Sequence, residues 1–208
     1  MLKTILGVIL LLIPFLLIYK FKDKKLGFAY ILSFLIAFHL AVAVVTQTFG
    51  IFNYVIIFII NIIVCFLVLT KINFKSFFEE LKKIKIDYVL VFIIIILFIE
   101  LFSVHYKYTG KITTAVENYK EVKNMKYVYP YFSDEWSAVA LIKYSINTGK
   151  LPLGNPLWYN SYFSNFEFTF HSFASEIIIL LDLNPLTHYI ILTIFSGILI
   201  CILIYFIL

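Results

Sequence analysis

Apolar residues fall along this chain in long unbroken runs rather than in short amphipathic stripes. Four such runs cover 2–19, 26–45, 51–70 and 88–104. The hydrocarbon core of a bilayer is about 30 Å thick and takes roughly 20 apolar residues in a helix to cross. The pattern therefore predicts four membrane helices in the first half. Lys3 ahead of an apolar stretch also has the look of a signal peptide. The run continues to Tyr19 with no small-residue cleavage site after it, so it reads as a retained helix.

The polar links orient these helices. The link 20–25 carries Lys20, Lys22, Lys24 and Lys25, and the link 71–87 carries Lys71, Lys75, Lys82, Lys83 and Lys85. The turn between them, around 46–50, has no charge. Lysine-rich short loops stay on the cytoplasmic side, which puts the N-terminus outside and sends the fourth helix outward. In the second link Phe74, Phe77, Phe78, Leu81 and Ile84 recur at helical spacing among the lysines. A short helix lying in the interface beside anionic headgroups accounts for that pattern.

Residues 105–167 are then an external loop. Its seven lysines do not overturn the orientation, because long loops cross largely regardless of charge. Within the loop, Ser133 is a good N-cap, Asp134 and Glu135 suit the first turn of a helix, and Gly149 suits its C-cap. A helix over 134–148 follows. It is too short to span and should lie on the membrane surface or pack on the bundle. A fifth, short apolar run covers 168–183, Asn184-Pro185 makes a turn, and a sixth run covers 186–208. That last run ends with no polar cap, as expected of the front part of a longer polytopic chain.

Composition agrees and narrows the class. Of 208 residues 62% are hydrophobic and 14% charged, with a mean hydropathy of +0.99. A soluble domain has about 45–50% apolar and about 25% charged residues. An ordinary soluble enzyme, a disordered tail and a small disulfide scaffold are excluded. Cys65 and Cys201 sit in apolar runs and indicate no disulfide, zinc or redox motif. The net charge of +5 arises from seventeen lysines and no arginine. Its distribution reads as an orientation signal, not as affinity for nucleic acid. The expected fold is an all-α polytopic membrane bundle of about six transmembrane helices with one large external loop holding a surface helix. In domain terms, 1–104 form the four N-terminal helices, 105–167 the loop, and 168–208 two further membrane helices. The setting is a multi-pass protein of a prokaryotic cell membrane.

The loop supplies the chemistry. Tyr129-Pro-Tyr-Phe-Ser-Asp134-Glu135-Trp136 is followed by the surface helix, Gly149-Lys-Leu-Pro152, Asn155-Pro156, an aromatic stretch, and a helix ending in Leu-Asp-Leu-Asn-Pro185-Leu-Thr. This order, over roughly residues 127–208, resembles the start of GT-C type membrane glycosyltransferases. That superfamily includes protein O-mannosyltransferases, aminoarabinose transferases and oligosaccharyltransferases. The resemblance implies transfer of a sugar from a polyprenyl-phosphate donor to a lipid, glycan or protein acceptor at the outer face. It implies Asp134, and second Glu135, as general base for an inverting attack on the anomeric carbon. Helix neighbours point about 100° apart, so one of the two faces the reaction while the other binds acceptor or caps the helix. Taken alone, Ser133-Asp134-Glu135 is an ordinary helix start. Such families often hold the carrier phosphate with basic residues, arginine included. Here only Lys143 and Lys150 offer a point charge nearby.

Other candidates carry less. Glu167 and His171, at i and i+4, could together meet phosphate, acceptor or metal, but two ligands do not make a metal site. Trp158 could stack on a sugar ring; an interfacial aromatic belt is the commoner use. No cofactor is specified, and a divalent metal has no motif in this chain. Glu100 and Glu176, in the fourth and fifth runs, are functional candidates by default, and both lie near enough to the outer face to reach water. His39 in the second run is expected to hydrogen-bond within the bundle. The competing classes are a noncatalytic membrane scaffold and, third, a transporter, for which neither an internal repeat nor paired broken helices speak.

Overall fold

The computed structural model describes residues 2–82, 87–105, 109–113, 121–126, 133–154 and 167–207. Its body is helical. Helix α1 (Leu2–Leu12) passes into a 3-10 segment (Ile13–Lys20), followed by α2 (Lys24–Thr48), α3 (Tyr54–Leu69), α4 (Phe74–Leu81) and α5 (Tyr88–His105). Beyond the loop lie α6 (Ser133–Thr148), α7 (Phe168–Leu180) and α8 (Pro185–Ile207). Side chains at the turns set several of the helix starts. Asp23, Asn53, Asn73, Asp87 and Asn184 each accept a hydrogen bond from backbone N–H groups two or three residues on, opening α2, α3, α4, α5 and α8. These bonds satisfy donors that a helix start otherwise leaves orphaned.

The loop also contains an antiparallel hairpin that the all-α reading did not anticipate. Strand β1 (Thr109–Thr113) pairs with β2 (Glu121–Lys126), Thr109 opposite Lys126 and Thr113 opposite Glu121. Threonine, Ile112 and Val122 favour extended backbone, and no apolar periodicity marks so short a pair.

Three stretches among the described residues are long and apolar enough to cross a membrane: Leu2–Lys20, Lys24–Thr48 and Pro185–Phe206. A fourth is possible if Tyr54–Leu69 and Phe74–Glu80, bent by 82°, count as one span. Helices Tyr88–Ser103 and Phe168–Leu180 are apolar but shorter. The outward faces carry large apolar side chains such as Ile59, Phe66, Phe92 and Ile99, as a lipid-facing bundle requires. This is a multi-pass membrane protein with fewer clear spans than the six expected.

The helices define two ends. At one, the two lysine-rich links meet: Lys24 pairs with Glu80 at 3.2 Å, and Tyr205 near the end of α8 donates to Asp87 at the start of α5 (2.6 Å). Helix α4 lies there, as its apolar spacing predicts. At the opposite end, the Lys3 ammonium sits over the Tyr54 ring (4.9 Å), so α1 and α3 both begin there.

Helix α7 departs from expectation. It begins beside Gln47 in the last turn of α2, where the Ser172 hydroxyl donates to that amide, and it finishes beside the first turns of α1. Asp182, just beyond it, stands 3.9 Å from Lys3. Both ends of α7 therefore lie at the same end of the bundle. With 13 residues it is about 20 Å long, short of the hydrocarbon core. The run 168–183 thus forms a cap across the bundle, not a fifth crossing. From there α8 runs back to the lysine-rich end, where Phe206 meets Phe28.

Gly7 lets this cap close. A Cβ there would stand 2.5 Å from the Leu180 carbonyl oxygen, so only glycine admits α7 so near α1. Helix α6 completes the layer. Its Ala138, Val139 and Ile142 bury against Ala174, Ile178 and Tyr189, so the expected surface helix packs on the bundle. Gly149, at φ +69°, ends α6 in the left-handed conformation its C-cap position predicts, against the carbonyl of Phe52.

Candidate functional site

Helix α7 carries four polar residues on its buried side: His171, Ser172, Ser175 and Glu176. Their spacing is helical, so one face of an otherwise apolar helix is polar. Midway along it, Glu176 is fully buried, and its Oε1 lies 2.8 Å from Nδ1 of His39, which is 3% exposed. Asn61 of α3 borders the same carboxyl and donates to the Ile57 carbonyl at 3.0 Å. The other oxygen, Glu176 Oε2, and the Ser145 hydroxyl of α6 are buried without a hydrogen-bond partner among the described residues.

One turn earlier on α7, the Ser172 hydroxyl donates to the Gln47 carbonyl oxygen at 2.8 Å, and the Gln47 amide donates back to the Ser172 carbonyl at 3.5 Å. Ser175 donates to the His171 carbonyl at 2.6 Å. Helix α2 thus holds α7 through two polar junctions, His39 to Glu176 and Gln47 to Ser172.

This arrangement corrects the reading of Glu176. The carboxylate does not reach water; it is closed inside the protein against an imidazole 137 residues away in sequence. A lone carboxylate in an apolar interior costs several kcal/mol, and pairing with a hydrogen-bonded partner offsets that cost. His39 hydrogen-bonds within the bundle, as expected. The acid and base here meet each other inside the protein, so their first role is to fix α7. Glu100, by contrast, is exposed on α5.

The other sequence candidates divide clearly. Asp134 and Glu135 occupy the first turn of α6, which places their backbone; their side chains lie outside the described residues. Lys143 on α6 and Lys150 after it are exposed. Glu167 is exposed at the start of α7, while His171, whose N–H donates to the Glu167 carbonyl at 3.1 Å, is buried at 4% exposure. The expected pairing of Glu167 and His171 toward one ligand therefore joins an outward group with an inward one. Trp158 lies outside the described residues. Among the described residues no three His, Cys, Asp or Glu side chains gather as a metal site would require.

Sequence reasoning missed Gln47, Asn61, Ser172 and Ser175. The signal was present: polar residues at 171, 172, 175 and 176 repeat at helical spacing, and Asn61 interrupts an apolar run. No protein family, curated protein or solved structure matches the chain.

Proposed function

We propose that the chain is a GT-C type membrane glycosyltransferase, or the front part of one. It transfers a sugar from a polyprenyl-phosphate donor to an acceptor at the outer membrane face. The observation that carries the reading is the placement of Asp134 and Glu135. They open a helix whose middle is anchored by Val139 and Ile142, at the end of the bundle opposite the lysine-rich links. By the positive-inside bias that end is external. A helix start on that side of the membrane is where a lipid-borne donor and a water-borne acceptor come together.

The acceptor hydroxyl gives its proton to the carboxylate as its oxygen attacks the anomeric carbon. The bond from that carbon to the carrier phosphate breaks with inversion, and polyprenyl phosphate leaves. Asp134 is the first choice for the base and Glu135 the second. Lys143 and Lys150, both exposed, are the cations this part of the chain can offer to phosphate. A general base contributes about 10²–10⁴ in rate. In membranes containing the full-length protein and labelled polyprenyl-phosphate sugars, Asp134→Asn is expected to lower transfer by that factor while the protein stays folded. Transfer unchanged in both Asp134→Asn and Glu135→Gln rejects the assignment.

A further inference from the structure

At the lysine-rich end, the 3-10 segment and α4 flank a half-open cavity of about 230 Å³. Its wall is Phe15, Leu16, Ile18, Tyr19 and Phe77, with Lys24 and Glu80 also lining it. The two elements are joined firmly: the Tyr19 ring meets Phe77 edge-on at 5.8 Å, and its hydroxyl accepts from the Asn73 N–H at 2.8 Å. Lys24 is held by Glu80 and by the carbonyls of Tyr19 (2.8 Å) and Phe21 (2.7 Å). The cavity is therefore a built slot with fixed sides and an apolar interior.

Its surroundings select an occupant. Phe74 and Phe78 of α4 are exposed, so the helix lies at the boundary between hydrocarbon and headgroups. Lys20 adjoins Tyr19, and Lys71 and Lys75 lie two residues to either side of Asn73, whose N–H is bonded to Tyr19; all three lysines are exposed. Exposed Glu79 opposes them with one negative charge, while Glu80 is matched by Lys24. The exposed residues next in sequence to the slot's lining thus carry a net positive charge beside an apolar interior. An amphiphile with an alkyl chain and a phosphate fits both features.

We propose that this slot binds one acyl chain of an anionic phospholipid from the adjoining leaflet, its phosphate resting among Lys20, Lys71 and Lys75. The lipid wedges between the 3-10 segment and α4, and so completes the packing at this end. The site is separate from the carboxylates of α6 and stands whether or not the chain transfers sugar.

Native mass spectrometry of the full chain, released from nanodiscs of equal phosphatidylcholine and phosphatidylglycerol, tests the proposal. One phosphatidylglycerol should remain bound in preference to phosphatidylcholine. Leu16→Trp, which fills the slot, should remove the adduct. Because that change could disturb folding, the surface variant Lys20→Gln/Lys71→Gln/Lys75→Gln is measured beside it. At about fivefold per lysine, its affinity for phosphatidylglycerol should fall on the order of a hundredfold. Equal retention of the two lipids by the unmodified protein overturns the proposal. So does triple-variant affinity unchanged from the unmodified protein, or displacement of the lipid by inorganic phosphate alone.

Discussion

The two ends of the bundle are built on opposite principles. At the end capped by α7, the polar junctions that hold this helix to α2 are few, buried and specific: His39 to Glu176, Gln47 to Ser172. At the lysine-rich end they are many, hydrated and largely interchangeable, with Lys20, Lys22, Lys25, Lys71 and Lys75 all exposed. A buried pair stabilises only in one geometry, and it penalises every packing that separates its members. A hydrated lysine barely distinguishes one packing from another. The capped end therefore specifies how the helices meet, while the lysine-rich end specifies which side of the membrane they face.

The sharpest way to break this contrast is to remove one member of the buried pair. His39→Ala leaves Glu176 without its partner inside the protein, at an expected cost of about 3–5 kcal/mol, measured by unfolding in lipid nanodiscs. Replacing both, as His39→Leu/Glu176→Leu, should recover most of that loss, since two apolar side chains need no partner. A double variant as unstable as the single one would place the effect in packing rather than in the pair. Gly7→Ala comes next. The added methyl meets the Leu180 carbonyl, and overpacking of this kind costs about 1–3 kcal/mol. Ser172→Ala leaves the buried Gln47 oxygen without its donor, for roughly 1–3 kcal/mol. At the other end, Lys22→Gln should change stability by less than about 0.5 kcal/mol.

The smallest effect concerns Asp87. The Tyr205 hydroxyl first, and the Leu90 and Val89 N–H groups and the Lys25 charge with it, hold this carboxyl below its ordinary value of 3.8. A carboxyl lowered on folding stabilises the folded state above the unfolded value and loses that contribution as pH falls through the folded one. The stability difference between the unmodified protein and Asp87→Asn should therefore be complete above pH 3.8 and shrink with further acidification. A difference that grows on acidification would contradict the bonding seen at Asp87.

Much of the lysine-rich end was legible in the sequence, because its signals are local. Runs of apolar residues, clustered lysines and the spacing of Phe74, Phe77 and Phe78 each act within a few residues of themselves. The boundaries of α6 were legible for the same reason, through Ser133 and Gly149. The capped end was not. Apolar content alone made 168–183 a crossing, whereas the polar face of α7 and the contact at Gly7 lay it across the bundle. Glu176 was placed near water by its position in the run, and its true partner is 137 residues distant. No local pattern reports such a pairing, although four polar residues at helical spacing in an apolar segment announce that something must meet them.

Accessibility of the two flanks of α7 tests the central claim most directly. Glu167 and Asp182 are both exposed and lie at either side of that helix. Single cysteines at Glu167 and at Asp182, in a chain carrying Cys65→Ala and Cys201→Ala, are treated in intact cells with a membrane-impermeant thiol reagent. A cysteine at Lys22 serves as the reference for the other face. The account predicts that both flanking cysteines react from outside and that the one at Lys22 reacts only after permeabilisation. Labelling at 167 from outside with labelling at 182 only after permeabilisation would make α7 a crossing helix and contradict it.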